Sequence, residues 1–311
     1  MRPYSDEDLP QLLDTVAGWI GKAGRCGYDH IGELPHRIYE NLRGRRPVGD
    51  LVQLWEAGDG IAGVAISLRF GVAFDVLAAP ALRGSQAERR MLLSAYQTTA
   101  ALMDPQAGPF VLTDVFDCDT ARIRLLTDLG FEHFRSWDHV RERPLRDPVE
   151  TAGSGHGYLL RSARPHDAGQ LAAARNQSFG EDWTGELYRS AVMKKPGYDP
   201  AREIVAEAAD GRIAAFAVYW VDERNKTGHF EPVGTHRDFR RQGLARAVML
   251  EAMRQMRELG ITLVTVHHLA GNVAARRLYE SLGFEQRYLT LGFRRRSPQL
   301  PAPGQPSAYV P

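Results

Sequence analysis

The sequence predicts an α/β protein built from two tandem copies of one domain, each an α+β mixed sheet with helices packed on it. Three observations carry this. The chain has 311 residues, about twice a common domain length, so two hydrophobic cores are expected. Asp119-Thr-Ala-Arg-Ile-Arg-Leu-Leu-Thr-Asp-Leu-Gly-Phe131 aligns without gaps on Asn272-Val-Ala-Ala-Arg-Arg-Leu-Tyr-Glu-Ser-Leu-Gly-Phe284, and Glu56-Ala-Gly-Asp-Gly60 aligns in the same order on Glu207-Ala-Ala-Asp-Gly211. Repeats so far apart indicate duplication of a whole domain, because solenoid units are much shorter. In the second copy a meander of strands is followed by helix, strand, helix and strand, the order of a mixed sheet.

The elements of the second copy follow from local pattern. Tyr158–Arg164 reads as a strand, and Asp167 can cap a helix running to about Ser178. Glu203–Ala208 and Arg212–Val221 read as strands joined by a tight Ala-Asp-Gly turn, and Asn225-Lys-Thr-Gly228 turns the chain into a strand over Gly228–Thr235. From Gln242 to Glu258 the apolar residues Ala245, Val248, Met249, Ala252, Met256 and Leu259 recur at three- and four-residue intervals, which predicts an amphipathic helix closed by Gly260. Ile261–His267 reads as a buried strand, Val273–Leu282 as a helix stopped at Gly283, and Arg287–Phe293 as a final strand.

The seam is expected near residue 152, in the Pro, Gly, Ser and charge of 146–157, which cannot bury a hydrophobic face. The expected division is residues 1–150, residues 153–296, and a Pro-rich tail over 297–311 that reads as extended or disordered.

With 39 basic against 38 acidic residues, no bulk attraction to nucleic acid or to an acidic membrane is implied. No apolar run of transmembrane length occurs and the N-terminus lacks a signal core, so a cytoplasmic protein is expected, as a monomer or homodimer. Cys26 and Cys118 form no metal or disulfide spacing, and two buried reduced thiols are expected. His267 and His268 invite a metal reading, but neighbours on a strand face opposite ways and no third ligand stands at a recognisable spacing.

Chemistry concentrates in Arg240-Arg-Gln-Gly-Leu-Ala245, between an expected strand and helix. Gly243 lacks a side chain and Ala245 nearly does, so an anion can approach the N–H groups at the helix start, which have no partners within the helix and lie at its positive end. Arg240, Arg241 and Arg246 add formal charge, and a diphosphate suits the place.

Arg240-x-x-Gly243-x-Ala245, followed by Asn272-x-x-Ala-x-x-x-Tyr279-x-x-x-Gly-Phe284, resembles the pyrophosphate loop and later helix of the GNAT superfamily of N-acetyltransferases. The resemblance covers about 140 residues of the second half well and the first half in part. It implies two tandem GNAT-like acyl-CoA N-acyltransferase domains. It further implies that the loop of Arg240, Arg241, Gln242, Gly243, Leu244, Ala245 and Arg246 holds the CoA diphosphate, and that the N–H near Val233 binds the thioester carbonyl where the strand splays from its neighbour. Asn272 would touch the pantetheine arm. Tyr279 would protonate the departing thiolate, and Glu231 would be the general base. The implied reaction is direct transfer of an acetyl or short acyl group from acetyl-CoA to a small-molecule amine, with no metal. A cysteinyl-sugar amine is one acceptor alternative, and a non-catalytic acyl-CoA sensor is another reading. In the first copy Leu126 replaces Tyr279 and Asp119 replaces Asn272, while Gln86 and Glu88 stand at the small-residue positions of the loop, so that copy is expected to be degenerate and non-catalytic.

Overall fold

The computed structural model describes residues 1–58, 60–146, 148–150 and 157–298; the expected seam at residue 152 and most of the tail lie outside the described residues. The strands among the described residues are β1 (Arg2–Pro3), β2 (Val52–Ala57), β3 (Gly60–Arg69), β4 (Ala73–Ala78), β5 (Phe110–Phe116), β6 (Glu132–Pro144), β7 (Tyr158–Ser162), β8 (Glu203–Ala208), β9 (Ile213–Asp222), β10 (Thr227–Thr235), β11 (Leu263–Leu269) and β12 (Glu285–Arg296).

The chain divides into two compact units, neither continuous in sequence. Residues 1–5, 45–137 and the described residues from Thr290 onward form the first; residues 6–44 and 138–289 form the second. In the first unit the strand order is β1-β2-β3-β4-β5-β12, antiparallel except where β4 meets β5. In the second it is β7-β8-β9-β10-β11-β6, antiparallel except for β10 with β11. The two sets of strands are mixed and share one topology, as a domain duplication requires. Each is completed by the last strand of the other sequence half, since β12 pairs β5 at Thr290–Arg296 and β6 pairs β11 at Asp138–Pro144.

The duplication also holds in the details of the aligned helices. Asp119 and Asn272 each cap a nine-residue helix, Thr120–Asp128 and Val273–Ser281, by accepting the N–H three residues on. Each helix is closed by a glycine of positive φ, Gly130 at 79° and Gly283 at 77°, and by a bond from the following Phe N–H back to Leu126 or Tyr279. The same short polar cap and the same terminal glycine produce the same local structure twice.

In the second unit alternation along β9 sends Ala215, Ala217 and Tyr219 to the core under helix Leu244–Glu258, and Phe216 to the core under helix Ala168–Phe179. On the first of these helices Val248, Met249, Ala252 and Met256 are fully buried, each larger side chain contributing roughly 1.5–3 kcal/mol. The periodic pattern overreaches at its ends: Ala245 lines a cavity, and Leu259 lies past the helix and is exposed. The expected elements form within two or three residues of their expected limits. Asp167 does stand at the start of helix Ala168–Phe179, but its carboxylate makes no cap; it accepts from Arg161 at 2.6 Å and from the Arg164 N–H at 2.7 Å.

Cys26 and Cys118 are both disulfide-bonded, Cys26 half-buried and Cys118 exposed, which corrects the expectation of buried thiols. Distance along the sequence places no limit on Cα separation in the fold, and the latter is what a disulfide needs. No helix among the described residues is long and apolar enough to cross a membrane.

Candidate active site

β10 and β11 run parallel from Thr227↔Leu263 to Phe230↔Val266 and then part. Beyond Phe230, β10 shifts its register against β9 and resumes pairing at Val233↔Ala217, while β11 stays paired with β6 as far as Leu269. The start of helix Leu244–Glu258 lies beside the end of β10. Gly243 is its N-terminal residue at φ 75°, with no side chain capping the first turn. A Cβ built on Gly243 meets nothing within 4 Å, so the glycine serves the left-handed backbone and the open space before the first N–H groups. Gly234 serves a different end, since a Cβ there would lie 2.5 Å from Phe216 and 2.8 Å from Ser178 Oγ, and its absence lets helix Ala168–Phe179 sit close on β10.

A cavity of about 500 Å³ lies between the end of β10, the start of helix Leu244–Glu258 and helix Val273–Ser281. Of the residues singled out in the sequence, Val233, Arg240, Arg241, Gly243, Leu244, Ala245, Arg246, Asn272 and Tyr279 all line it. Gln242 and Glu231 do not. Gln242 is exposed and accepts from the Tyr158 hydroxyl at 2.8 Å, and the side chain of Asn272 accepts from the Ala275 N–H at 3.0 Å to cap its helix. Arg246 is tied to Glu150 at 2.5 Å, and Arg240 leans on the carbonyl of Ser178 at 3.2 Å. Arg241, exposed and at φ 63°, has no ion pair among the described residues. An uncapped helix start, two positive-φ residues in the loop and three arginines are features a diphosphate fits.

Glu231 lies at the β10 bulge. About a quarter of its side chain is open, and burial pushes its carboxyl up to about 8, with the cation of His36 acting the other way. Its backbone carbonyl accepts from Trp220 Nε1 at 2.8 Å. Tyr279 is buried in the core of the unit, and burial followed by the nearby Glu231 charge holds its phenol protonated, well above the usual range.

Around Glu231 the structure assembles side chains from residues 6–44. Glu33 meets His229 at 2.8 Å and Arg37 at 2.9 Å; Arg37 also pairs with Asp29 at 2.8 Å, and His229 Nδ1 lies 2.7 Å from Thr265 Oγ1. Burial raises the Glu33 carboxyl, but Arg37 and His229 outweigh it and hold the group well below the ordinary carboxylate range. His30 stacks on His229 at 5.3 Å, and burial keeps His30 and His267 neutral, the latter at about 4. His36 sits between Glu40 and Glu231, 3.5 Å from each. Glu40 in turn pairs with the fully buried Arg175, which also donates to Tyr188 Oη at 2.9 Å and to Glu203 at 3.5 Å. These partners outweigh the effect of burial and take Glu40 down to about 2. Glu33, His229 and Glu231 bring ligand-type atoms within 4.8 Å of one another, but Glu33 and His229 already have the partners of a closed polar network. His267 and His268 face opposite ways as expected, one toward Asp29 and the other toward Arg141.

Residues 169–284, which span the loop, the cavity and Tyr279, match the Acetyltransferase (GNAT) family. Two solved structures share the fold over nearly the whole chain. A tandem GNAT protein from the clavulanic acid biosynthesis pathway superposes with a TM-score of 0.64 at 15% identity, covering 97% of this chain and 98% of that one. A GCN5-related N-acetyltransferase from Sphaerobacter thermophilus gives 0.62 at 21% identity, over 95% and 94%. The second half of this chain is thus similar to the GNAT acetyltransferases, and the chain shares its fold with tandem GNAT proteins. Among curated proteins it is 28% identical to a mycothiol acetyltransferase of Thermobispora bispora over 86% of this chain and 91% of the relative. It is 34% identical to one of Nocardiopsis dassonvillei over 47% and 43%. These matches support an acyl-CoA-dependent acetyltransferase, and the GNAT family uses acetyl-CoA.

The first copy has the same strand-loop-helix, with the N–H groups of its loop bonded from within. Ser85 caps helix Gln86–Leu102 by accepting from the Ala87 N–H at 3.1 Å. Ser85 and Ala87 therefore stand where Gly243 and Ala245 stand in the second copy, which shifts by one residue the alignment expected from sequence. Glu88, fully buried, accepts from the Gly84 N–H at 2.5 Å and from Arg122 Nε at 2.8 Å, and Arg83 pairs with Asp119 at 2.7 Å. A side-chain carboxylate thus takes a loop N–H, and Arg122, which aligns with Ala275 of the second copy, holds it there. Sequence reasoning placed Glu88 at a small-residue position of the loop; the fold turns it inward instead.

The side chains that sequence reasoning missed are Glu33, His36 and Glu40. Glu33 and His229 are 196 residues apart, and no spacing rule connects them.

Proposed function

We propose that the second unit transfers an acetyl group from acetyl-CoA to the primary amine of a small molecule by direct attack in a ternary complex. What carries the reading is the single cavity that joins an uncapped, arginine-flanked helix start at Gly243 to the buried phenol of Tyr279, with Glu231 two residues from Val233 on the strand bordering it. The N–H groups from Gly243 to Arg246, with Arg240 and Arg241, hold the diphosphate, and Gln242 shapes the turn. Asn272 meets the pantetheine arm, and the Val233 N–H receives the thioester oxygen as it gains charge. Glu231 takes a proton from the acceptor ammonium, directly or through water. The freed nitrogen attacks the carbonyl carbon, the C–S bond breaks, and Tyr279 gives its proton to the departing sulfur and regains one from the nitrogen. Amide, free thiol and a protonated Glu231 result. A Glu231 carboxyl held at about 8 is matched to an amine that must be deprotonated, and a phenol raised by burial is matched to giving a proton rather than losing one.

The first copy, in this reading, binds no acyl-CoA, because Glu88 occupies its anion position. The name carried by the curated relatives supports a cysteinyl-sugar amine as one specific acceptor. A panel of small amines, with that class included, offered with acetyl-CoA and read by thiol release, tests the proposal. Amine-dependent release is expected. Binding of CoA without release for any amine would favour the sensor reading.

A further inference from the structure

We propose that His36 is a positioning residue for Glu231: its ring holds the carboxylate in place and sets the pH at which Glu231 accepts a proton. The inference rests on the general-base reading of Glu231 and adds a partner from the opposite end of the chain. His36 opens a π-helical segment, His36–Asn41, whose widened turn re-aims the side chains leaving it. Nε2 of His36 lies 3.5 Å from Glu231 Oε1 and Nδ1 lies 3.5 Å from Glu40 Oε1, with the Asn41 side-chain amide 3.0 Å from Nε2, where a cationic ring N–H is met by the amide oxygen. His36 and Glu40 side chains are only 10% and 12% exposed, so water screens little of the charge between them.

At these distances the ring delivers charge more than a shaped hydrogen bond. The groups facing it are Glu40 from its own segment, Glu33 from the turn before it and Glu231 from β10, with Arg175 behind Glu40. Burial disfavours the imidazolium, but the three carboxylates outweigh it and carry His36 up to about 9, so the ring is cationic at neutral pH. A cation beside Glu231 favours its ionised form, the form able to take a proton, against the desolvation that opposes it. Glu40 has a distinct part: anchored by buried Arg175, it keeps the imidazolium charged and its ring fixed in front of Glu231.

The test compares the pH dependence of kcat/KM, using acetyl-CoA and an accepted small amine, between wild type and His36→Gln. The acid-side limb should move up by about one pH unit or more in the variant, with KM for acetyl-CoA unchanged, because His36 does not line the CoA cavity. His36→Lys restores a cation and should bring the limb back toward wild type. A limb that stays in place in His36→Gln overturns the proposal. Nitrogen-15 chemical shifts of His36 in the intact wild-type protein at pH 7 add a reading that needs no variant: a cationic ring is expected, and a neutral one overturns the proposal. Failure of the underlying reading looks different, since Glu231→Gln would then keep wild-type turnover; an inactive Glu231→Gln together with an unmoved limb in His36→Gln sinks only the role of His36.

Discussion

Glu231→Gln is expected to lower kcat by roughly 10²–10⁴-fold while leaving acetyl-CoA affinity unchanged. Glutamine keeps the volume and hydrogen-bonding reach of the carboxylate at the β10 bulge and removes only its ability to accept a proton. The side chain is absent from the lining of the CoA cavity, so binding of the donor has no reason to change. The wild-type carboxyl is pushed up to about 8 by burial, so it is mostly protonated at neutral pH and becomes a base as pH rises. In the wild type kcat/KM therefore rises with pH through about 8, and in Glu231→Gln this component of the profile disappears. Steady-state rates across pH 6–10 check both points. Turnover by the variant within a few-fold of wild type, with the limb retained, would assign the base elsewhere.

The second large effect is expected at the leaving group. Tyr279→Phe keeps the ring that packs against Phe284 at 6.0 Å and His268 at 5.7 Å, so the core should hold its shape and its thermal midpoint should change little. In the proposed reaction the variant lacks the proton that Tyr279 gives to the departing sulfur, and kcat should fall by roughly 10²–10⁴-fold. Because the wild-type phenol is raised by burial and by Glu231, it remains a donor throughout the range in which Glu231 works as a base. Parallel measurement of kcat and of thermal melting separates lost chemistry from lost packing. A fully folded Tyr279→Phe with wild-type kcat would remove the phenol from the mechanism.

The parts of the structure that were legible in the sequence are those written in short spacings. Gly243 three residues after Arg240, the capped helix ending in Gly283, and the repetition of that helix around Gly130 each depend on local backbone chemistry. Each forms where expected. What was not legible depends on chain path. The pairing of β12 with β5 and of β6 with β11 leaves no local trace, because it joins segments far apart in sequence. Residues 6–44 fall with the second unit for reasons that become visible only when Glu33 meets His229 and Glu40 meets Arg175. The loop of the first copy shows an intermediate case. Its loss of a small-residue pattern is plain in sequence, yet the inward turn of Glu88 onto Gly84 and Arg122 required the fold.

Titration calorimetry of the intact protein with coenzyme A tests most directly whether the helix start at Gly243 grips the diphosphate. One site per chain is expected, because the first copy's anion position is occupied by Glu88. Gly243→Val, which strains a residue at φ 75° and fills the space before the first N–H groups, should weaken that binding about tenfold or more, a loss of at least roughly 1.4 kcal/mol. No detectable binding by wild type, or undiminished binding by a folded Gly243→Val, would contradict the account.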